Sequence, residues 1–414
     1  MDKNKRLTVW LPVIIAASIA LGIFIGNHYL SISQGKKRSY SSGNKINAIL
    51  DIIDEQYVDT VSMSKLVEST IPKIFSELDP HSVYIPAEDA SVVNEELEGS
   101  FSGIGVSFNM QTDTILVISV ISGGPAEKAG LLPFDRIISI NDSIFSGKKK
   151  NQGEIMKTLR GAKNSTVKLG VQRGNSPELL YFDVTRGDVP VNSVDVSYEA
   201  AKGIGYIKVS KFARNTYNEF ITAIAKLKQA GCTSFVIDLR GNTGGYMDAA
   251  INMSNEFMPE GRLIVYTEGK SFPRSDVYAN GTGTCKDAPI VVLTDEISAS
   301  ASEIFSGAIQ DNDRGTIIGR RTYGKGLVQT QMSLSDGSEM RLTIARYYTP
   351  SGRCIQKKYE MGNTDAYDQD IYNRYMHGEF DSADSIKMDD SLKYQTVGGR
   401  TVYGGGGIMP DIFI

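Results

Sequence analysis

Residues 294–330 read TDEISASASEIFSGAIQDNDRGTIIGRRTYGKGLVQT and follow an apolar run, IVVLT at 290–294. The apolar run predicts a buried strand. Ala301–Ile309 predicts a helix, Thr316–Gly319 a second strand and Val328–Leu334 a third. Strand, helix and strand in so short a space argue an α/β sheet, with active loops at the carboxyl ends of its strands. Ser300 lies just past such an end, at the helix start. Lys325 stands alone between Gly324 and Gly326. A hydroxyl at a helix N-terminus and a lysine without side-chain neighbours are the parts of a Ser/Lys catalytic pair. Each also has a plain structural reading. Ser300 with Glu303 three residues on is a capping box, and Ser298 and Ser302 could cap as well. Lys325 could be a loop lysine in water. To act as a base it needs burial or a nearby positive charge, and Arg320 and Arg321 are close in sequence.

The alternation extends over 189–414. Ile204–Val209 reads as a strand and Asn215–Ala230 as a helix with Phe220, Ile221, Ile224 and Leu227 on one face. Phe235–Leu239 reads as a buried strand ending in Arg240-Gly-Asn-Thr-Gly-Gly245. Helix Met247–Phe257 and strands Leu263–Thr267 and Glu339–Ala345 continue the pattern. Residues 359–395 are polar and acidic and predict an exposed insertion. The chain returns through Gly404–Gly407 to a strand at Ile408–Ile414, an apolar end that leads one to expect a tail beyond it.

Residues 99–188 change to short strands and predict a small separate domain. There Gly103-Ile104-Gly105-Val106 opens a strand. Such a loop can present N–H groups to a peptide carboxylate while the strand edge accepts the peptide, although a tight turn without a ligand fits it equally. Upstream, 45–98 has helical spacing interrupted near Tyr57–Ser62 and stopped at LDPHS (78–82) by Pro80. Residues 29–44 form a polar linker. Leu7–Ile25 is apolar and about long enough to span a bilayer, after a basic stretch at 1–6. With no clear small-x-small site it reads as an uncleaved anchor over 7–28, the N-terminus in the cytoplasm and the body outside the membrane.

The 414 residues imply two or three domains, and a net charge of −4 offers nucleic acid no electrostatic footing. Three histidines are too few for a His-rich metal site, and none suits a Ser-His-Asp triad. Cys232, Cys285 and Cys354 are widely spaced and read as buried thiols. Neither a cofactor nor a metal is called for. Gly319 to Lys325 imitates a P-loop, but Gly326 stands where the Ser/Thr would bind magnesium. Gly241-Asn-Thr-Gly-Gly245 imitates a trypsin-like loop with threonine in the serine place. Ser62-x-x-Lys65 lacks its companion boxes, and no Gly-x-Ser-x-Gly occurs.

Eight motifs then stand in one order: YVD (57–59), LDPHSVYI (78–85), GSFSGIGV (99–106), PAEKAGL (125–131), DLRGNTGG (238–245), SASASEIFSGAIQDN (298–312), YGKGLVQ (323–329) and YYTPSGRCI (347–355). In these the chain resembles the carboxyl-terminal processing peptidases, or tail-specific proteases, over 45–358 and 398–414. The resemblance implies an α/β (α+β) protease core with an inserted PDZ domain, a helical N-terminal region and one transmembrane helix. It implies a serine endopeptidase of the bacterial inner membrane, working in the periplasm or outside the cell on protein tails with free C-termini. Association with copies of itself stays open. Ser300 would be the nucleophile, Lys325 its base and Gln329 the lysine's assistant. Ala301 and Gly244 or Gly245 would form the oxyanion hole, and Gly103, Ile104, Gly105 and Val106 the tail-binding loop. Arg160 matches by position an arginine that activates some members through the glutamine. Thr243 departs from the family, which has proline there, so which glycine faces the oxyanion is open. An inactive relative serving as a PDZ scaffold, or a trypsin-like protease using His81, is the competing reading. One tension follows from geometry. In a regular strand Lys325 and Gln329 would share a face about 13 Å apart, so cooperation requires a bend at Gly324–Gly326.

Overall fold

The computed structural model describes residues 16–23, 42–111, 114–144, 152–174, 176 and 178–414. The chain forms two compact units, residues 1–70 and 71–414. In the first, residues 16–23 are helical, with Ile19, Leu21 and Ile23 exposed. The rest of the expected span at 7–28 lies outside the described residues, as does most of the linker. Among the described residues no helix is long and apolar enough to cross a membrane. Helices α1 (Ser42–Gln56) and α2 (Met63–Ser76) flank the expected interruption, and α2 runs on into the second unit.

The region at 45–98 is mainly helical, with one short strand set between its helices. After α2 comes a strand, β1 (Val83–Ile85), which pairs antiparallel with residues 339–341 of the protease core, before helix α3 (Ala87–Glu98). Asp79 of the LDPHS turn lies between α2 and β1. Its carboxylate accepts hydrogen bonds from the His81 and Ser82 N–H groups, Ser82 Oγ and Thr343 Oγ1. Burial alone would raise this carboxyl, but those donors together hold it below its ordinary value.

Strands β2 (Ser100–Gly103), β3 (Val106–Gln111) and β4 (Thr114–Val120) open the small domain. Then come α4 (Pro125–Ala129), β5 (Arg136–Ile140), β6 (Ser143–Ile144) and α5 (Gln152–Leu159), followed by β7 (Thr166–Gln172), β8 (Leu180–Thr185) and β9 (Gly187–Pro190). An antiparallel sheet runs β3-β4-β5-β7-β8, so β3 is an edge. Ile104, Val117, Ile137, Ile155 and Leu169 form its own apolar core. The antiparallel β2–β9 ribbon joins the domain's two ends where it leaves the core.

The core begins with β10 (Val194–Ala201), β11 (Ile204–Val209), α6 (Thr216–Gln229), β12 (Ser234–Asp238) and α7 (Met247–Asn255). It continues through β13 (Leu263–Glu268), β14 (Ser275–Tyr278), β15 (Ile290–Thr294), α8 (Ala301–Asp311), β16 (Thr316–Gly319), β17 (Leu327–Ser333) and β18 (Glu339–Tyr348). Helices α9 (Asp365–Asp368) and α10 (Asp370–Met376) and strands β19 (Lys393–Gln395), β20 (Thr401–Tyr403) and β21 (Ile412–Phe413) close the chain. One sheet runs β10-β11-β12-β15-β16-β21 and is parallel from β11 onward; a second, antiparallel sheet holds β1, β18, β13 and β14, with β17 on β18. Helix α8 packs against α7, β13 and β16, and all its residues are buried. Phe257 meets Phe220, Phe235 and Phe305 edge-on, with ring centroids 6.2–6.3 Å apart. Each such ring contributes about 2–3 kcal/mol by burial, so this cluster anchors α8 on the sheet. Cys232 and Cys285 belong to the same core as free thiols.

The segment 359–395 is largely exposed, as its composition predicts, but it also buries two side chains. Tyr367 and Arg374 are 3% and 4% exposed. They are buried because polar partners inside the core satisfy them: Tyr367 reaches His81 and Gln356, and Arg374 reaches backbone carbonyls.

Candidate active site

Ser300 sits between β15 and α8 with φ 55° and ψ −113°, a left-handed conformation unusual for a side-chain-bearing residue. Such strain persists only where surroundings over-determine it, and here they do. The Glu303 carboxylate accepts the Ser300 N–H at 2.8 Å, while the Ser300 carbonyl accepts from Glu303 and Ile304. Ser298 and Ser302, the alternatives for the nucleophile, are fully buried and committed to backbone: Ser298 Oγ donates to Leu239 O and Ser302 Oγ to Asn242 O.

Glu303 does more than cap. Its other contacts are the Thr322 hydroxyl, the Gly324 N–H at 2.8 Å and the Lys325 N–H at 2.9 Å. One buried carboxylate thus ties the serine's turn to the lysine's loop. Burial raises its pKa above the ordinary value, although these hydrogen bonds oppose the rise. Tyr347 adds a second tie, its hydroxyl contacting both the Ser300 carbonyl at 3.1 Å and the Lys325 carbonyl. The sequence shows Glu303 as a cap and Tyr347 as the first residue of the YYTPSGRCI motif, but gives neither a role in the site.

Lys325 is turned inward. Burial pulls its pKa down and the charge of Arg341 adds to that, against the opposing charges of Glu303 and Asp79. The cation that matters is therefore not Arg320 or Arg321. Those pair with Glu296 and Glu379, whereas Arg341 arrives on β18 from beyond the β17–β18 hairpin. Lys325 Nζ donates to Gln329 Oε1 at 3.2 Å. The required bend exists: Gly324 has φ 90°, β17 starts only at Leu327, and a bulge falls between Val328 and Gln329. It is longer than the expected bend at Gly324–Gly326, because a bulge inside the strand completes it. Gln329 Nε2 donates to the His81 carbonyl, which gives the LDPHS turn a place in the site.

The loop after β12 supplies the third side. A Cβ on Gly244 would lie 2.7 Å from Ser300 Cβ and 3.0 Å from Ala301 N, and one on Gly245 would lie 2.1 Å from Phe212 O. Both positions exclude any side chain. The Gly244 N–H is taken by Asn242 Oδ1 at 2.9 Å. Among the described residues, the N–H groups of Ala301 and Gly245 have no protein acceptor. Backbone N–H groups without an acceptor are the kind of donor that an oxyanion hole requires.

In the small domain, Ile104 is buried in the core, its carbonyl accepting from Ala126 N–H at 2.7 Å, and Gly105 has φ 77°. Val106 begins the edge strand β3, while Gly103 belongs to the β2–β9 ribbon, opposite Gly187. Arg160 is not brought to Gln329. It pairs with Glu95 at 2.9 Å and lies 4.5 Å over the Phe101 ring. His81 is not brought to Ser300 either. Its Nε2 meets Tyr367 Oη at 2.7 Å, and burial, with a smaller contribution from the Lys325 charge, lowers its pKa to about 4.

With this geometry in hand, comparison with known proteins is informative. Residues 203–365 match the model of peptidase family S41 and residues 102–195 that of the PDZ domain. The chain is 35% identical to the carboxy-terminal processing protease CtpB of Bacillus subtilis over 76% of this chain and 66% of that protein. It is 33% identical to a probable CtpA-like serine protease of Staphylococcus aureus over 86% of this chain and 72% of that protein. Among solved structures, the photosystem II D1 C-terminal processing protease is 28% identical, covering 76% of this chain and 90% of its own, with a TM-score of 0.42.

Proposed function

Because the chain belongs to peptidase family S41, the carboxy-terminal processing proteases, and is thus a serine-type peptidase with a PDZ domain, we propose that it cleaves protein tails through Ser300 and Lys325. Neutral Lys325 takes the Ser300 hydroxyl proton, and Ser300 Oγ attacks the scissile carbonyl to form an acyl-enzyme. The lysine returns the proton to the leaving amine, and water then releases the acyl group. Gln329 holds the lysine Nζ by accepting one of its protons, which leaves the lone pair free for Ser300. The Ala301 and Gly245 N–H groups receive the oxyanion, each worth about 3–4 kcal/mol of barrier. Gly245 fills this role rather than Gly244, whose N–H already serves Asn242. The observation that carries the proposal is the shared carboxylate: Glu303 holds the Ser300 N–H and the Lys325 N–H at once.

The edge strand β3 and the loop before it suit an added peptide strand ending in a carboxylate, which makes a free substrate C-terminus the feature recognised. Residues 7–28 would anchor the enzyme, with the catalytic unit outside the bacterial cytoplasmic membrane. The apolar sequence and the helical, exposed 16–23 support that reading. The test uses full-length chain in detergent and an unstructured peptide, free or amidated at its C-terminus. Ser300→Ala and Lys325→Ala should abolish cleavage, and amidation should raise KM. Parent-like cutting by both variants would remove the dyad, and indifference to amidation would remove the tail-recognition role.

A further inference from the structure

The segment 359–395 reaches the backbone just before Lys325, next to the peptides that Glu303 holds. We propose that this segment is a built-in positioning element for the catalytic base, with Arg374 as its principal positioning residue and Tyr367 as its second; this rests on the reading of Lys325 as the base. Residues 321–326 have no regular secondary structure. Two successive carbonyls there, Arg321 and Thr322, accept hydrogen bonds from the Arg374 guanidinium at 2.7 and 3.1 Å. The third side of the guanidinium donates to Glu379, also in the segment, and Glu379 in turn pairs with Arg321 at 2.6 Å. An arginine fork so placed fixes the direction of two peptide planes, and the peptides that follow are those whose N–H groups Glu303 holds.

The segment also reaches the other residue on the lysine. Tyr367 Oη meets His81 Nε2, and the His81 carbonyl accepts the Gln329 side chain. Lys357, whose N–H donates to the Gly324 carbonyl, points its Nζ at the Tyr367 carbonyl and Asp370. Thus the peptides leading into Lys325 and the carbonyl that orients Gln329 both lean on one polar segment. Arg374 touches no reacting atom, so its effect passes through the loop.

The groups facing Lys325 are Arg341 from β18, Glu303 from α8, and Asp79 and His81 from the LDPHS turn. Arg374 is not one of them, so removing its charge does not act on the lysine directly. Releasing the loop would let water reach Nζ and move the lysine back toward its ordinary value. Because the base must be neutral, the acid limb of the kcat profile would then shift to higher pH.

The test is the pH dependence of kcat and KM for full-length chain bearing Arg374→Met or Arg374→Lys, with circular dichroism and melting to report folding. Arg374→Met should lower kcat at neutral pH at least tenfold, leave KM within twofold and move the acid limb up by half a pH unit or more. Arg374→Lys, which keeps one donor, should recover part of each. A folded Arg374→Met with kcat and acid limb unchanged overturns the inference. If Arg374→Met does not fold, Tyr367→Phe decides, since it keeps the ring. A threefold or larger fall in kcat at constant KM supports the inference, and parent-like kcat overturns it. Ser300→Ala and Lys325→Ala run alongside. If they keep activity, the dyad reading has failed; if they lose it while the segment variants do not, only this inference has.

Discussion

The turn that carries Ser300 and the loop that carries Lys325 are held by opposite means. Ser300 stands where a buried parallel strand passes into a fully buried helix, and its cap partner is three residues away. Lys325 lies in a stretch with no regular structure, and its shape comes from Glu303, Gln356, Arg374 and Tyr347, each reaching in from elsewhere in the chain. The Gly326 N–H, for instance, ends on Gln356 Oε1 at 2.8 Å. The serine's geometry is a local property and the lysine's is a tertiary one. Disturbing packing at a distance should therefore reach the lysine before it reaches the serine.

The largest effects should come from removing either member of the proposed pair. Ser300→Ala and Lys325→Ala should each cost on the order of a thousandfold or more in kcat, and the double variant should be little worse than either single one, because the two act as a unit. A double variant whose losses multiply would mean that the two residues work independently. Next comes the residue common to both halves. Glu303→Gln keeps the volume but offers one acceptor oxygen where four donors converge on two. Its amide N–H₂ would face donors, at a cost of about 3–5 kcal/mol in unfolding free energy by denaturant titration. The same variant should lower kcat steeply. If stability falls but kcat of the folded fraction does not, Glu303 supports the core without aligning the pair.

How much could be read beforehand follows the same division. Strands at 290–294 and 316–319, the helix beginning at Ala301 and the interruption after α1 follow from apolar spacing and turn residues, and the structure has them in place. By spacing alone Ser300 is one of three candidates and the family resemblance singles it out; the structure adds that Ser298 and Ser302 are buried. The lysine's surroundings had no such signature. Arg321 is four residues away yet turns to Glu379, while Arg341 comes near because β17 and β18 pair. The polar insertion is largely solvated, as composition says, but composition cannot express that Tyr367 and Arg374 turn inward to polar partners. The strand at Val83–Ile85 consists of strand-favouring residues, but three residues are too few to show a period, and its place in the sheet comes from pairing with residues 339–341.

His81 tests the lysine's side of the comparison with a smaller effect. Its imidazole titrates at about 4, chiefly through burial. A histidine depressed in this way binds a proton less readily folded than unfolded. Its contribution to stability is therefore present above about 6.5 and is lost as pH falls toward 4. Unfolding free energy should drop by roughly 1–3 kcal/mol across that interval, beyond what His81→Asn shows. Parallel pH profiles for parent and variant would place this imidazole in water. Since the His81 carbonyl receives Gln329 and the folded imidazole stays neutral until about 4, activity of the folded enzyme should fade through His81 only near that value, beyond the loss caused by protonating Lys325.

The smallest effect discriminates most finely. Tyr347 lies under both halves, 1% exposed, with its hydroxyl against the Ser300 and Lys325 carbonyls. A phenol has one proton, so it donates to one carbonyl at a time, and Tyr347→Phe removes a single net hydrogen bond, about 1 kcal/mol. If the serine's turn is self-sufficient, that loss falls on the lysine. The variant should then show a several-fold lower kcat with a raised acid limb, while labelling of Ser300 by a serine-directed phosphonate at high pH, where the lysine is neutral in both proteins, stays at the parent rate. Equal loss of labelling at every pH would mean that the tyrosine shapes the nucleophile's turn as much as the base's loop, and that the two halves are less different than their backbones suggest.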